Sequence, residues 1–160
     1  MLADITLNSI SLWIHISAAV VGLGATFALS IGFPLALKLD ARYLPFVHHL
    51  SLNINRKLAS PALLILIATG IYQALDSDTM DEPWVGGTFL IALILGGLQG
   101  SYFVPTDKKL AKMAEEELAG GATKLSDDYL GRVQKEGTIG AVSGFLIVLA
   151  VFLMTVKPGS

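Results

Sequence analysis

The sequence contains no cysteine, so disulfides, thiolate metal sites and cysteine nucleophiles are all excluded. Charge is scarce as well: 15% of residues are charged against 53% hydrophobic, with a mean hydropathy of +0.65. That balance lies outside the range of ordinary soluble domains and makes lipid the expected solvent. Eleven Lys and Arg against 13 Asp and Glu, for a net charge of −2, include no basic row able to neutralise a run of phosphates. Nucleic acid is therefore excluded as a partner. Phosphate-cradling glycine loops, a Gly-x-Ser-x-Gly nucleophile and a His-Glu-x-x-His zinc motif are also missing. The N-terminal stretch has no positive region before its apolar run, and that run exceeds a signal-peptide core, so it is expected to stay as a transmembrane helix.

What the chain does have is long apolar runs. A bilayer core of about 30 Å needs roughly 20 apolar helical residues. Four segments qualify: Ile10 to Leu37, Leu58 to Leu75, Gly86 to Val104 and Gly137 to Val156. They predict an all-α, integral membrane four-helix bundle, a single domain over 1–160, with the connection 106–136 helical rather than disordered. Lys38, Arg42, Arg56 and Lys57 lie between the first two spans, and Lys108, Lys109, Lys112, Lys124, Arg132 and Lys135 between the last two. The positive-inside rule makes both connections cytoplasmic and both termini external, in the inner (plasma) membrane. Pro45 reads as a first-turn proline of the second helix, Glu82-Pro83 as the start of the third, and Ser126-Asp127-Asp128 as an N-cap for the last.

Helices in lipid associate through small residues that let backbones approach. Ala18 and Gly22 in the first span, Gly96 and Gly100 in the third, and Gly140 and Gly144 in the fourth form such stripes. They serve packing within the chain or, alternatively, an interface with a second copy or a membrane protein partner. Gln99 is polar at intermediate depth and is expected to hydrogen-bond across the bundle. Arg56 and Lys57 mark topology and meet lipid headgroups.

No span holds Asp, Glu, Lys or Arg at mid-depth, which counts against an ion-coupled transporter. His15 is the ionisable side chain well inside a span. Three readings stand: a neutral imidazole bonded to a neighbouring oxygen; a haem or metal ligand near the outer face, with Met154, Tyr72 or no residue as the second axial group of a haem; or a proton-handling group. His48 and His49 are expected in solvent or among headgroups, without a catalytic role.

The words Trp13-Ile14-His15-Ile16, the following AAVVGLGATFAL, and Arg56-Lys57-Leu58-Ala59-Ser60-Pro61 through Ala68-Thr69-Gly70 resemble those of bacterial predicted four-helix integral membrane proteins of unknown function. More distantly, a histidine in the first of four spans is similar to the copper-resistance D-type and haem-binding protoporphyrinogen oxidase-type membrane proteins. That resemblance implies haem b with His15 as axial ligand. The sequence thus leaves three functions in competition: a non-enzymatic accessory or interaction module, a haem b protein of redox or tetrapyrrole chemistry, and, more weakly, small-solute or copper transport using Met80, Met154 and His15.

Overall fold

The computed structural model describes residues 5–159. The first four residues of the N-terminal stretch, which is without basic charge, lie outside them. Four helices are long and apolar enough to cross a membrane: α1 (Leu7–Lys38), α2 (Ala41–Asp76), α3 (Pro83–Ala119) and α4 (Asp127–Val156). At 30 to 37 residues each, they exceed the roughly 20 a bilayer requires. The surplus lies beyond the apolar runs, mainly at one end. Both connections rich in Lys and Arg fall at that end, here called the basic end.

Local chemistry sets the boundaries. Thr6 caps α1 by accepting from the Ser9 amide at 3.2 Å. Asp40 caps the first turn of α2, accepting from the Arg42 amide at 2.9 Å. The Arg42 guanidinium also bonds the Asp40 carboxyl and holds it below the usual carboxylate range. Pro83 occupies the first turn of α3 behind Glu82 in extended backbone, where a missing N–H costs nothing. Gly121, at φ +87°, takes the left-handed turn that ends α3. Ser126 then caps α4, its hydroxyl accepting from the Tyr129 amide at 3.3 Å. The prolines inside helices do not end them. Five-residue π-turns at Asn55–Ala59 and Gln99–Phe103 widen the backbone just before Pro61 and Pro105, where the ring would otherwise meet the carbonyl four residues back. A third π-turn, Ala19–Leu23, sits in α1.

Packing differs between the two halves of the bundle. Within the apolar runs, large side chains such as Ile31, Leu64, Leu93 and Phe145, one from each helix, are exposed to the surroundings. That is the surface lipid solvates. The hydrophobic core sits instead at the basic end, where Ala36, Leu44, Val47, Leu110, Ala114, Leu125, Tyr129 and Val133 bury one another. Water supplies a driving force there that lipid does not. Helix α1 packs along α2, α2 on α3 and α3 on α4, whereas α1 and α4 meet sparsely. A lateral groove is left between them.

Candidate functional site

The basic-end core encloses a polar cluster. On α2, His48, Ser51 and Asn55 follow the i, i+3, i+7 spacing that points side chains to one face. All three are buried, His48 completely. Asp107 of α3 is also fully buried, among Leu110, Ala111 and Ala114 on the same stripe. Tyr129, Val133 and Glu136 of α4 complete the enclosure.

The bonds are short and reciprocal. His48 Nδ1 lies 2.9 Å from Asp107 Oδ1, and His48 Nε2 lies 2.8 Å from the Tyr129 hydroxyl. Ser51 donates to Asp107 Oδ2 at 2.6 Å. The Tyr129 ring stands edge-on to the imidazole, and Phe33 of α1 covers it at a centroid distance of 4.9 Å. Glu136 is 7% exposed, yet its Oε2 finds no hydrogen-bond partner. Among the described residues, no Lys or Arg forms an ion pair with Asp107 or Glu136. Two buried carboxyls so near each other hold either a shared proton or a cation between them. His48 therefore departs from the expectation of a solvent or headgroup position: the helix begins at Ala41, so the residue lands on a buried stripe. His49, its neighbour, faces out and pairs with Glu115 at 2.8 Å.

The groove between α1 and α4 begins beside this cluster. It encloses about 1200 Å³, with walls that are mostly apolar, including Phe27, Phe33 and Phe145. Its floor at the basic end carries Ser51, Asn55, Gln99 and Glu136. Gln99 Nε2 donates to the Asn55 backbone carbonyl at 3.1 Å, across from α3 to α2. The same carbonyl receives the Ser60 amide that closes the π-turn. The π-turns Asn55–Ala59 and Gln99–Phe103 thus each begin at a polar residue of the groove floor, a placement such turns often take at functional sites.

His15 lies elsewhere, toward the other end of α1, and does not line the groove. Its Nδ1 is 2.7 Å from Thr69 Oγ1 on α2. Since the Thr69 hydroxyl donates to the Ile65 carbonyl at 2.6 Å, it accepts the proton of His15 Nδ1. The neutral ring then keeps its lone pair on Nε2. Gly70 lies against the ring, its Cβ direction 3.6 Å from His15 Cε1. Tyr72 is exposed and Met154 half-buried, and no hydrogen bond among the described residues joins either to His15.

The small residues fall in different surroundings. A methyl on Gly22 would overlap the Ala62 methyl and stand 3.2 Å from the Leu58 carbonyl, so α1 and α2 meet backbone to backbone there. Ala18 is half-buried one turn away. Gly96 approaches Leu63 and Gly144 the Phe27 ring, while Gly100 and Gly140 face open space. Arg56 and Lys57 are exposed. Sequence reasoning missed Asp107 and Glu136. Their signal was a carboxylate at helical spacing from apolar residues, Asp107 with Leu110 and Ala114, and Glu136 with Tyr129 and Val133.

No curated protein and no solved structure is significantly similar to the chain. The model of the family described as predicted integral membrane protein (DUF2269) matches residues 9–158. The chain, an all-helical protein with four membrane-length helices, belongs to that family.

Proposed function

We propose that this protein is a non-catalytic accessory component of the plasma membrane, oriented with its basic end in the cytoplasm, that holds one amphiphilic molecule in the α1–α4 groove. The molecule is of lipid type, an apolar body carrying a hydroxyl or carbonyl head. The observation that supports this is the groove itself: apolar along its length and open to the side that lipid occupies, it ends on Ser51, Asn55, Gln99 and Glu136. Ligand sites combine these features, apolar walls with a few convergent polar groups. A helix from a second copy would bring apolar side chains into the groove and leave that polar floor unmatched, so a single-chain amphiphile is the better occupant. Surrounding membrane lipid is the source from which it would enter.

The test is solvent extraction of the protein purified in mild detergent, with mass spectrometry of what is released. One species near one equivalent per chain is expected, enriched over bulk lipid. Gly140 lines the groove and faces open space, so Gly140→Phe fills it without a backbone clash and should release the molecule. Gly97→Phe, on an exposed position outside the groove, should not. Bulk lipid alone from the unsubstituted protein, or equal retention in both variants, refutes the reading.

A haem b protein with His15 as axial ligand is a second reading, favoured by one observation. Thr69 takes the Nδ1 proton, which leaves Nε2 with a free lone pair, the arrangement that a hydrogen bond to the far ring nitrogen imposes on ligating histidines. An absorption spectrum separates the two: a preparation without a Soret band, unchanged on adding haemin, removes haem and leaves the groove reading untouched.

A further inference from the structure

We infer that His48, Asp107 and Glu136 form a binding site for one divalent first-row transition-metal ion at the basic end of the bundle. One ligand atom from each residue lies within 4.8 Å of the others, and all three residues are buried. The 2.9 Å between His48 Nδ1 and Asp107 Oδ1 is a hydrogen-bond length, and two donors on one tetrahedral ion at about 2.0–2.2 Å each stand about 3.3–3.6 Å apart, so a shift of a few tenths of an ångström admits the ion between them. The far atoms of the same groups are already held. Tyr129 bonds His48 Nε2, and Ser51 bonds Asp107 Oδ2. Outer partners of this kind fix the tautomer of a ligating imidazole and the rotation of a ligating carboxylate.

Glu136 supplies the independent observation. It is 7% exposed, its Oε2 has no hydrogen-bond partner, and it belongs to the convergent group. Counting charges points the same way. Two carboxylates face one imidazole, which can carry at most one positive charge, and no Lys or Arg is paired with either acid among the described residues. Burying the pair uncompensated is costly, and a divalent cation takes the place of the proton that the two carboxyls would otherwise share. Imidazole among the donors selects transition ions over Ca²⁺ and Mg²⁺, which favour all-oxygen shells. The site stands apart from the groove reading: Glu136 borders both, but His48 and Asp107 do not line the groove.

The experiment uses the full chain in detergent, stripped with chelator, then offered Zn²⁺, Co²⁺ or Ca²⁺ and passed through a desalting column. Metal analysis should find about one Zn²⁺ per chain and no retained Ca²⁺. Co²⁺ should give visible d–d bands of nitrogen and oxygen coordination, a readout that needs no variant. Glu136→Gln keeps the size of the side chain but removes its charge, and should weaken Zn²⁺ binding by ten-fold or more, on the order of 10–100-fold for a perturbed site. His49→Ala, which removes the exposed His49–Glu115 pair, should leave retention unchanged. Failure of the unsubstituted chain to retain Zn²⁺, absence of the Co²⁺ bands, equal retention in Glu136→Gln, or loss in His49→Ala each overturns the assignment. None of these outcomes bears on the amphiphile, whose release is scored separately.

Discussion

Exchanging Gly22 for alanine puts the α1–α2 contact to a sharp test. Alanine is normally preferred to glycine inside a helix by about 0.5–1 kcal/mol, so the substitution should stabilise if nothing opposed it. Here the new methyl meets the Ala62 methyl and, at 3.2 Å, the Leu58 carbonyl oxygen. Neither can rotate aside, because one is a Cβ and the other is backbone. The helices must part, at the overpacking cost of about 1–3 kcal/mol. The net expectation is destabilisation of about 0.5–2 kcal/mol, from the difference of those two effects. Gly24, two residues on, faces open space, so Gly24→Ala is the internal control and should be neutral or slightly stabilising. Stability is read by denaturant-driven unfolding in detergent micelles. The double substitution Gly22→Ala with Ala62→Gly moves the methyl from one helix to the other and should recover most of the loss, a coupling of about 1 kcal/mol. The reasoning fails if Gly22→Ala is as stable as Gly24→Ala, or if the double variant is no better than the sum of its parts.

Two further substitutions probe the polar elements. Tyr129→Phe keeps the fully buried ring but strips the hydroxyl from His48 Nε2. An unmatched buried polar atom costs about 1–3 kcal/mol, seen as a lower thermal midpoint with an unchanged far-ultraviolet dichroism spectrum. Gln99→Leu removes the donor to the Asn55 carbonyl and should cost about 0.5–1.5 kcal/mol, with faster hydrogen exchange at the Ser60 amide that shares this acceptor; unchanged exchange there would count against the link between Gln99 and the π-turn.

The helices were legible because lipid imposes a simple rule, an apolar run of fixed length, and the caps at Ser126, Glu82-Pro83 and Gly121 are chemical punctuation of the usual kind. The buried cluster was harder to read. His48 sits in a stretch that, by charge, resembles an ordinary connection, with Arg42, Arg56 and Lys57 around it. Only its register with Leu44, Val47, Ser51 and Leu52 marks a buried stripe. Asp107 lies between Pro105 and a pair of lysines, and Glu136 directly follows Lys135. Local composition calls all of these solvated. What buries them is the meeting of three helices from distant parts of the chain, with His48 and Tyr129 separated by 81 positions. A single sequence does not carry that pairing. His15 illustrates the reverse: a polar residue in an apolar run is conspicuous at once, while the partner that fixes its tautomer, Thr69, is one of many hydroxyls and declares itself only through proximity.

The placement of the core also sets a timetable for biosynthesis. The basic-end core draws on α4, through Leu125 just before it and Tyr129 and Val133 within it, although α4 leaves the ribosome after the three helices it closes over. The first three helices can enter the bilayer on their own hydrophobicity, but until the fourth arrives His48 and Asp107 have no lid and the apolar stripes of α2 and α3 stay wet. Insertion and folding are thereby separated in time: the membrane accepts the chain piece by piece, and the water-facing end locks once, when the fourth helix arrives.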